Sequence, residues 1–233
     1  VLGAVTAVIL LVFRDTILGF VTGIHVSTSK NLKIGDWIGI PKYNIEGNIQ
    51  DINLLTTKIV NFDKTISTIP TYDLLSTEIR NHQVMYEGSS RRIKRSIYFN
   101  IKSFKFVDDE FYEKVKDINL ISEYLDRKLR EIAESKKNIP HAERIINGQQ
   151  LTNIGLFRNY VLNYLKNNPK VDQDEIVLVR QLEISPQGMP LEIYCFANKA
   201  ELVDYERIQA DIFDHILTAA QEFDLEIMQI SKA

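Results

Sequence analysis

The first thirteen residues, Val1–Phe13 (VLGAVTAVILLVF), carry no charge and no strongly polar side chain. A helix needs about 20 apolar residues to cross a bilayer, so this run is too short to span one by itself. It reads as a buried core helix or as the second half of a membrane helix. The lack of any polar face favours the membrane. Gly3, Ala4 and Ala7 gather on one side of such a helix, and Leu2, Thr6, Ile9, Leu10 and Phe13 on another. The spacing of four between Gly3 and Ala7 lets neighbouring backbones approach closely. Arg14 and Asp15 end the run. Thr16–Leu32 follows with apolar residues at Ile17, Leu18, Phe20, Val21 and Ile24, and Gly19 and Gly23 repeat the small-residue spacing. This predicts a second, amphipathic helix on the membrane surface, after a bend near Arg14–Thr16. Lys30 and Lys33 suit the cytoplasmic side.

From Ile34 the period changes. Gly35–Asp36 is a turn signal and Trp37–Ile40 reads as a strand. Ile45–Leu55 and Thr56–Phe62 alternate, Asp63–Lys64 predicts a hairpin turn, and Thr65–Ile69 is the return strand, closed by Pro70. Short strands so closely spaced predict a small antiparallel β-barrel, with one or two helical turns at Tyr72–Ile79. Glu87–Arg95 (EGSSRRIKR) reads as a basic linker. Beyond it the pattern predicts a strand at Ser96–Ile101, helix over Asp109–Lys137, a loop at Lys137–Asn147 and a helix at Asn153–Lys166. Strands at Ile176–Ile184 and Leu191–Ala197, a helix at Glu201–Phe223 and a strand at Leu225–Ile230 complete an α+β unit of ferredoxin-like kind. The domains expected are 1–33, 34–90 and 91–233, the last with a helical insertion at about 105–170.

Charge sharpens the picture in one place. The whole chain is near neutral, but residues 171–233 hold 4 basic and 13 acidic side chains, a net of 4 − 13 = −9. An acidic end and a formal net charge of −3 argue against a nucleic-acid partner. The run Arg91–Arg95 reads as a solvated segment rather than as a lipid or nucleic-acid site. One cysteine, Cys195, excludes a disulfide framework and a cysteine-rich zinc site, and its apolar neighbours place it in a core. Asp211 and His215 stand four apart on a helix, but no third ligand accompanies them, so they read as a surface pair and no metal is expected. No phosphate-binding glycine loop, nucleophile motif or paired histidines are present, so no enzyme and no cofactor is expected. The chain starts at Val1 and reads as part of a longer protein, without the basic start of a signal peptide.

An apolar small-residue helix, an amphipathic helix, a small β-barrel and an α+β domain follow one another without a linker. With Ile34-Gly35-Asp36-Trp37, Gly47-Asn48-Ile49-Gln50-Asp51-Ile52, the Thr56–Thr57 pair and Thr68-Ile69-Pro70-Thr71, this order resembles the small-conductance mechanosensitive channel (MscS) family. That family often has Asn where Thr71 stands. Val12-Phe13-Arg14-Asp15, Asn61-Phe62-Asp63 and Pro190-Leu191-Glu192-Ile193-Tyr194 look like the YbdG-type miniconductance subgroup. The resemblance implies a pore helix, an Sm-like β-barrel and a ferredoxin-like vestibule domain in an oligomeric channel. It further implies a homoheptamer in the bacterial inner membrane, with further spans upstream, residues 34–233 in the cytoplasm, and the lipid bilayer and permeant ions as its other partners.

On that alignment Thr6, Leu10 and Phe13 line and gate the pore, while Gly3, Ala7, Gly19 and Gly23 pack helices together. Arg14 and Asp15 stand at the bend, where the smallest members often place glycine. There Arg14 either forms a positive ring that biases selectivity, or pairs with Asp15 or lipid head groups. The expected function is a tension-gated channel that releases solutes on swelling. A weakly conducting, membrane-anchored oligomeric sensor is the alternative.

Overall fold

The computed structural model describes residues 2–28 and 32–229. The chain divides into two compact units that meet in sequence at Gly88 and Ser89.

The first unit opens with one helix, α1 (Leu2–Thr28). In place of two helices meeting at a bend near Arg14–Thr16, one helix runs without a break from Leu2 to Thr28. The reason is local: Phe13-Arg14-Asp15-Thr16 contains neither glycine nor proline, so nothing breaks the hydrogen-bond ladder there. Its Gly3–Val26 stretch is long and apolar enough to cross a membrane by length and composition. Ser29–Asn31, with Lys30, lie outside the described residues.

Five strands follow: β1 (Trp37–Ile40), β2 (Ile45–Ile52), β3 (Thr56–Asn61), β4 (Ile66–Pro70) and β5 (Arg80–Asn81). Two short helices, α2 (Asp73–Ser76) and α3 (Gln83–Glu87), flank β5. The strands form one antiparallel sheet in the order β4-β3-β2-β1-β5. Alternate residues turn inward, and Ile38, Ile40, Ile49, Ile59, Ile69 and Leu74 form its core together with Val26 of α1. Gly47 is required where β2 crosses β3, since a Cβ there would stand 2.1 Å from the Val60 carbonyl oxygen. The hairpin turn sits at Asp63–Lys64 as the pattern predicts, with Asp63 Oδ1 accepting from the Thr65 amide at 2.9 Å.

Asp73 is the buried charge among the described residues of this unit, and its side chain is 1% exposed. Burial pushes its carboxyl up, but hydrogen bonds from Tyr43 and Ser76 and the charge of Lys42, 3.6 Å away, outweigh it and hold the group below its ordinary value.

The second unit holds β6 (Arg91–Phe99), α4 (Asp109–Val115), α5 (Asn119–Lys136), α6 (Asn153–Lys166), β7 (Leu178–Gln181), β8 (Met189–Ala197) and α7 (Leu202–Ala219). The sheet order is β6-β8-β7, and a bridge from Phe99 to Ile227 adds a fourth edge beside β6. That is the ferredoxin-like arrangement, with α6 and α7 as its two helices and α4 and α5 added. All the core residues from β6 and β8, such as Ile93, Ile97, Leu191, Ile193 and Cys195, lie on one face of the sheet against the helices.

Four boundaries differ from the sequence reading. Arg91–Arg95 is not a linker but the first half of β6, because Ile93 alternates inward between outward cations. Helix over 109–137 breaks at Lys116–Ile118. The core residues Val115 and Ile121 are six apart, a spacing that one continuous helix would place on different faces. Strand β7 is shorter than expected because its ladder is closed at both ends. The Asp172 amide already occupies the Phe196 carbonyl at 2.8 Å, and Pro190 has no N–H to offer. The last strand is reduced, among the described residues, to the bridge at Ile227, and Ile230 lies outside them.

Two outcomes follow. Replacing Gly47 by alanine forces backbone apart and costs the first unit about 1–3 kcal/mol. Amide exchange of β2 and β3 in the purified protein, compared with the parent, checks it. The stabilisation from Asp73 is present above the unfolded carboxyl value of about 3.9 and is lost as pH falls through the lowered folded value. Acidification in that window is expected to loosen the first unit, and Asp73→Asn to flatten this dependence, as followed by near-ultraviolet circular dichroism.

Candidate pore helix and its seat on the β-sheet

Helix α1 is almost wholly uncovered. From Gly3 to Leu18 every described side chain is exposed, including Leu10 at 57% and Leu11 at 76%. A soluble helix does not present an apolar surface on all sides, so this one is built for lipid or for other copies of itself. Burial begins only near its end, at Gly19, Thr22 and Val26. These three are spaced by three and four residues and share one face.

That face sits on the turn between β2 and β3. A Cβ on Gly19 would fall 1.9 Å from the Leu54 carbonyl oxygen and 3.7 Å from the Leu55 Cα. Only glycine admits a backbone this close. One turn on, Thr22 turns its hydroxyl back to the Leu18 carbonyl at 2.8 Å, so its buried oxygen is satisfied within the helix. Val26 then enters the core of the sheet. Burying a valine contributes about 1.5–3 kcal/mol.

The turn is held from beneath. The Asn53 amide donates to Thr56 O at 2.9 Å, and the Thr71 amide donates to Leu55 O at 3.0 Å. The Thr71 hydroxyl donates to Asn53 O at 2.6 Å. That uses its single proton, so Thr57 is the donor in the buried contact between the two hydroxyls at 3.1 Å. The seat of the helix is thus pinned by Thr57 and Thr71 from β3 and the end of β4.

The structure places the residues picked from sequence as follows. Gly3, Thr6, Ala7, Leu10, Phe13, Arg14 and Asp15 are all exposed along the uncovered part of α1. Gly19 packs closely, against the sheet of its own chain. Gly23 is half-buried, and an added Cβ there meets nothing within 4 Å. Arg14 and Asp15 form no ion pair with each other, since adjacent helix residues point about 100° apart. By the same spacing Thr6, Leu10 and Phe13 point roughly half a turn away from the Gly19–Thr22–Val26 face.

Sequence reasoning missed Thr22, Val26, Leu54 and the pinning role of Thr71. The signal for the first two was present in the 3,4 spacing from Gly19. The partner turn carried none, since an apolar Leu54–Leu55 pair looks like the end of a strand.

Elsewhere the sequence candidates are engaged structurally. Asp211 bonds Lys170 at 2.6 Å, and His215 meets the Tyr160 hydroxyl at 2.6 Å and stacks on Tyr164 at 4.1 Å. Among the described residues no group of three or more His, Cys, Asp or Glu is placed to hold a metal. Cys195 is fully buried.

Two family models match. The mechanosensitive ion channel β-domain covers residues 15–84, and the MscS C-terminal domain covers residues 142–227. The low conductance mechanosensitive channel YnaI of Escherichia coli (strain K12) is 24% identical over 208 residues, 89% of this chain and 46% of YnaI. The small-conductance mechanosensitive channel MscMJ of Methanocaldococcus jannaschii is 35% identical over 71 residues, 30% of this chain and 20% of that protein. The chain therefore spans about half the length, or less, of these curated relatives. Among solved structures, MSL1 of Arabidopsis thaliana superposes with a TM-score of 0.64 at 15% identity, covering 98% of this chain and 64% of that one. The closed-state crystal structure of MscS from Helicobacter pylori gives 0.58 at 16%, covering 100% and 70%. At these identities the superpositions speak to fold. The β-domain match begins at Asp15 on α1 and runs through the seat, and the C-terminal match holds α6, β7, β8 and α7. With one match in each unit and the same fold in the solved channels, this chain belongs to the MscS family of mechanosensitive ion channels.

Proposed function

We propose that this chain is the pore-to-vestibule part of a channel that membrane tension opens, releasing ions and small solutes on hypo-osmotic shock. The observation that carries this reading is a long apolar helix, uncovered through its first four turns and anchored by its last turns to a folded domain. Such a helix has lipid and neighbouring copies as its natural surroundings. We take the assembly to be a homoheptamer of the YbdG-type miniconductance kind in a bacterial inner membrane, with residues 34–233 in the cytoplasm.

In this reading Thr6, Leu10 and Phe13 face the axis, on the side away from the seat. Rings of Leu10 and Phe13 exclude water and so block ions without a plug. Gly3 and Ala7 let neighbouring helices slide at close contact. Tension opens the pore because the open state occupies more membrane area, so the stimulus distinguishes the two states as any ligand must. Because α1 is unbroken at Phe13–Thr16, the pore half cannot move by folding at a preset hinge. It tilts as one rod with its far end held on the β2–β3 turn. Arg14 lies between those ends and places a positive ring at the cytoplasmic mouth.

The absence of a hinge also favours a second reading, in which the assembly keeps the channel architecture but conducts little and serves as a membrane-anchored sensor. Patch-clamp recording of the full-length protein under graded suction, in cells lacking their own mechanosensitive channels, separates the two. The channel reading predicts tension-dependent unitary currents. It predicts that Leu10→Asn, by wetting the constriction, lowers the opening tension, and that Arg14→Ala shifts the reversal potential toward cations. Silence up to rupture, with the protein confirmed in the membrane, supports the sensor.

A further inference from the structure

The sheet of the second unit has helices on one side only. Its other face carries Arg92 and Lys94 from β6, Tyr194 and Phe196 from β8, and Leu178 and Arg180 from β7, in matching register. None of these six belongs to the hydrophobic core. Tyr194 and Phe196 meet edge to face with centroids 5.8 Å apart, and Arg92 lies over the Tyr194 ring at 5.8 Å. Glu192 sits among them, buried, held by Arg180 through Nε at 2.8 Å and Nη2 at 2.7 Å, with Lys94 at 3.8 Å. With Asp172, set on the same face beside Phe196 by the Val171–Ala197 bridge, two carboxylates stand against these three cations, and the aromatic face keeps one net positive charge.

The opposite side of the same unit is its complement. Helix α7 buries Tyr205, Ile208, Ile212 and Ile216 against the far face of the sheet. Its outward side presents Leu202 and Val203, 55% and 73% exposed, with Glu206 and Asp214. Neither of those two carboxylates has an ion pair among the described residues. The basic, aromatic sheet and the acidic, apolar-tipped helix therefore look in opposite directions and cannot meet within one unit. Two different patches that complement each other across a subunit make a head-to-tail contact, which generates a ring when the rotation closes.

We propose that the open sheet face of one copy receives the outer side of α7 from a second copy, so that each two-layer unit gains a third layer from its neighbour. This rests on the oligomeric reading above and names the surfaces that would build it.

The test uses the full-length protein in detergent with Leu178→Cys and Val203→Cys in one chain, treated with a short bismaleimide. The native Cys195 is a silent background, because burial pushes its thiol up to about 12 and leaves no reactive thiolate. The expected result is a ladder of cross-linked species up to the full subunit number, absent from either single-cysteine protein. Adding Arg92→Glu lowers the ladder several-fold, and Glu206→Lys in the same chain restores it. Native mass spectrometry of the same sample counts subunits. An intact oligomer without a ladder, or a ladder indifferent to both charge changes, overturns the proposed surfaces and leaves the oligomer standing. A monomer overturns both.

Discussion

The first unit depends on one close approach. At Gly19 the backbone of α1 comes so near the Leu54 carbonyl that no side chain fits between them. Much of the local sequence serves that contact. Thr71 holds the turn by its amide and its hydroxyl, Thr57 supports Thr71, and Val26 follows Gly19 onto the same face and into the sheet core. Interiors are close-packed, so a turn fixed by three hydrogen bonds behaves as a rigid seat rather than as a cushion.

A rigid seat under an unbroken helix gives the membrane part and the sheet a mechanical relation. Force on the first four turns reaches the β2–β3 turn with no soft joint at Arg14 to absorb it. In the proposed channel, the residues that stabilise the sheet are thereby the ones through which gating would act. The Thr56–Thr57 and Thr68–Thr71 motifs, which look like scattered polar residues in a strand pattern, are the underside of the seat.

Much of the fold was legible because its periods are clean. Trp37–Ile40, Asn153–Lys166 and the hairpin turn at Asp63–Lys64 stand where the alternation, the helical spacing and the turn residues put them. The misreadings came from tertiary effects that leave no local mark. Arg91–Arg95 looked like a solvated linker because Ile93 is the one apolar residue in it, while Arg92 and Lys94 point to the open face and Arg91 and Arg95 lie over the Tyr205 and Phe213 rings of α7. The ends of β7 are set by a proline and an amide on other segments, and the break between α4 and α5 by the need of Val115 and Ile121 to share one core. The bend at Arg14 was read from the change of an all-apolar run to an amphipathic one at a charged pair, but these residues contain no helix breaker and α1 continues through them. At the candidate site Gly19 was visible as a small residue in a spacing of four. Its partner was not, because a carbonyl oxygen has no letter in the sequence.

The most direct test of this account compares two alanines by hydrogen exchange. Gly19→Ala and Gly23→Ala are one turn apart on α1 and make the same chemical change, which by itself favours a helix by about 1 kcal/mol. Only the first meets backbone, at 1.9 Å, while the second enters open space. In the full-length protein in detergent, Gly19→Ala is predicted to speed amide exchange at Asn53–Thr56 and at Thr71, and Gly23→Ala to leave it unchanged. Equal exchange in both variants and the parent would mean that the helix is not seated on the turn, and the account built on that contact would fall.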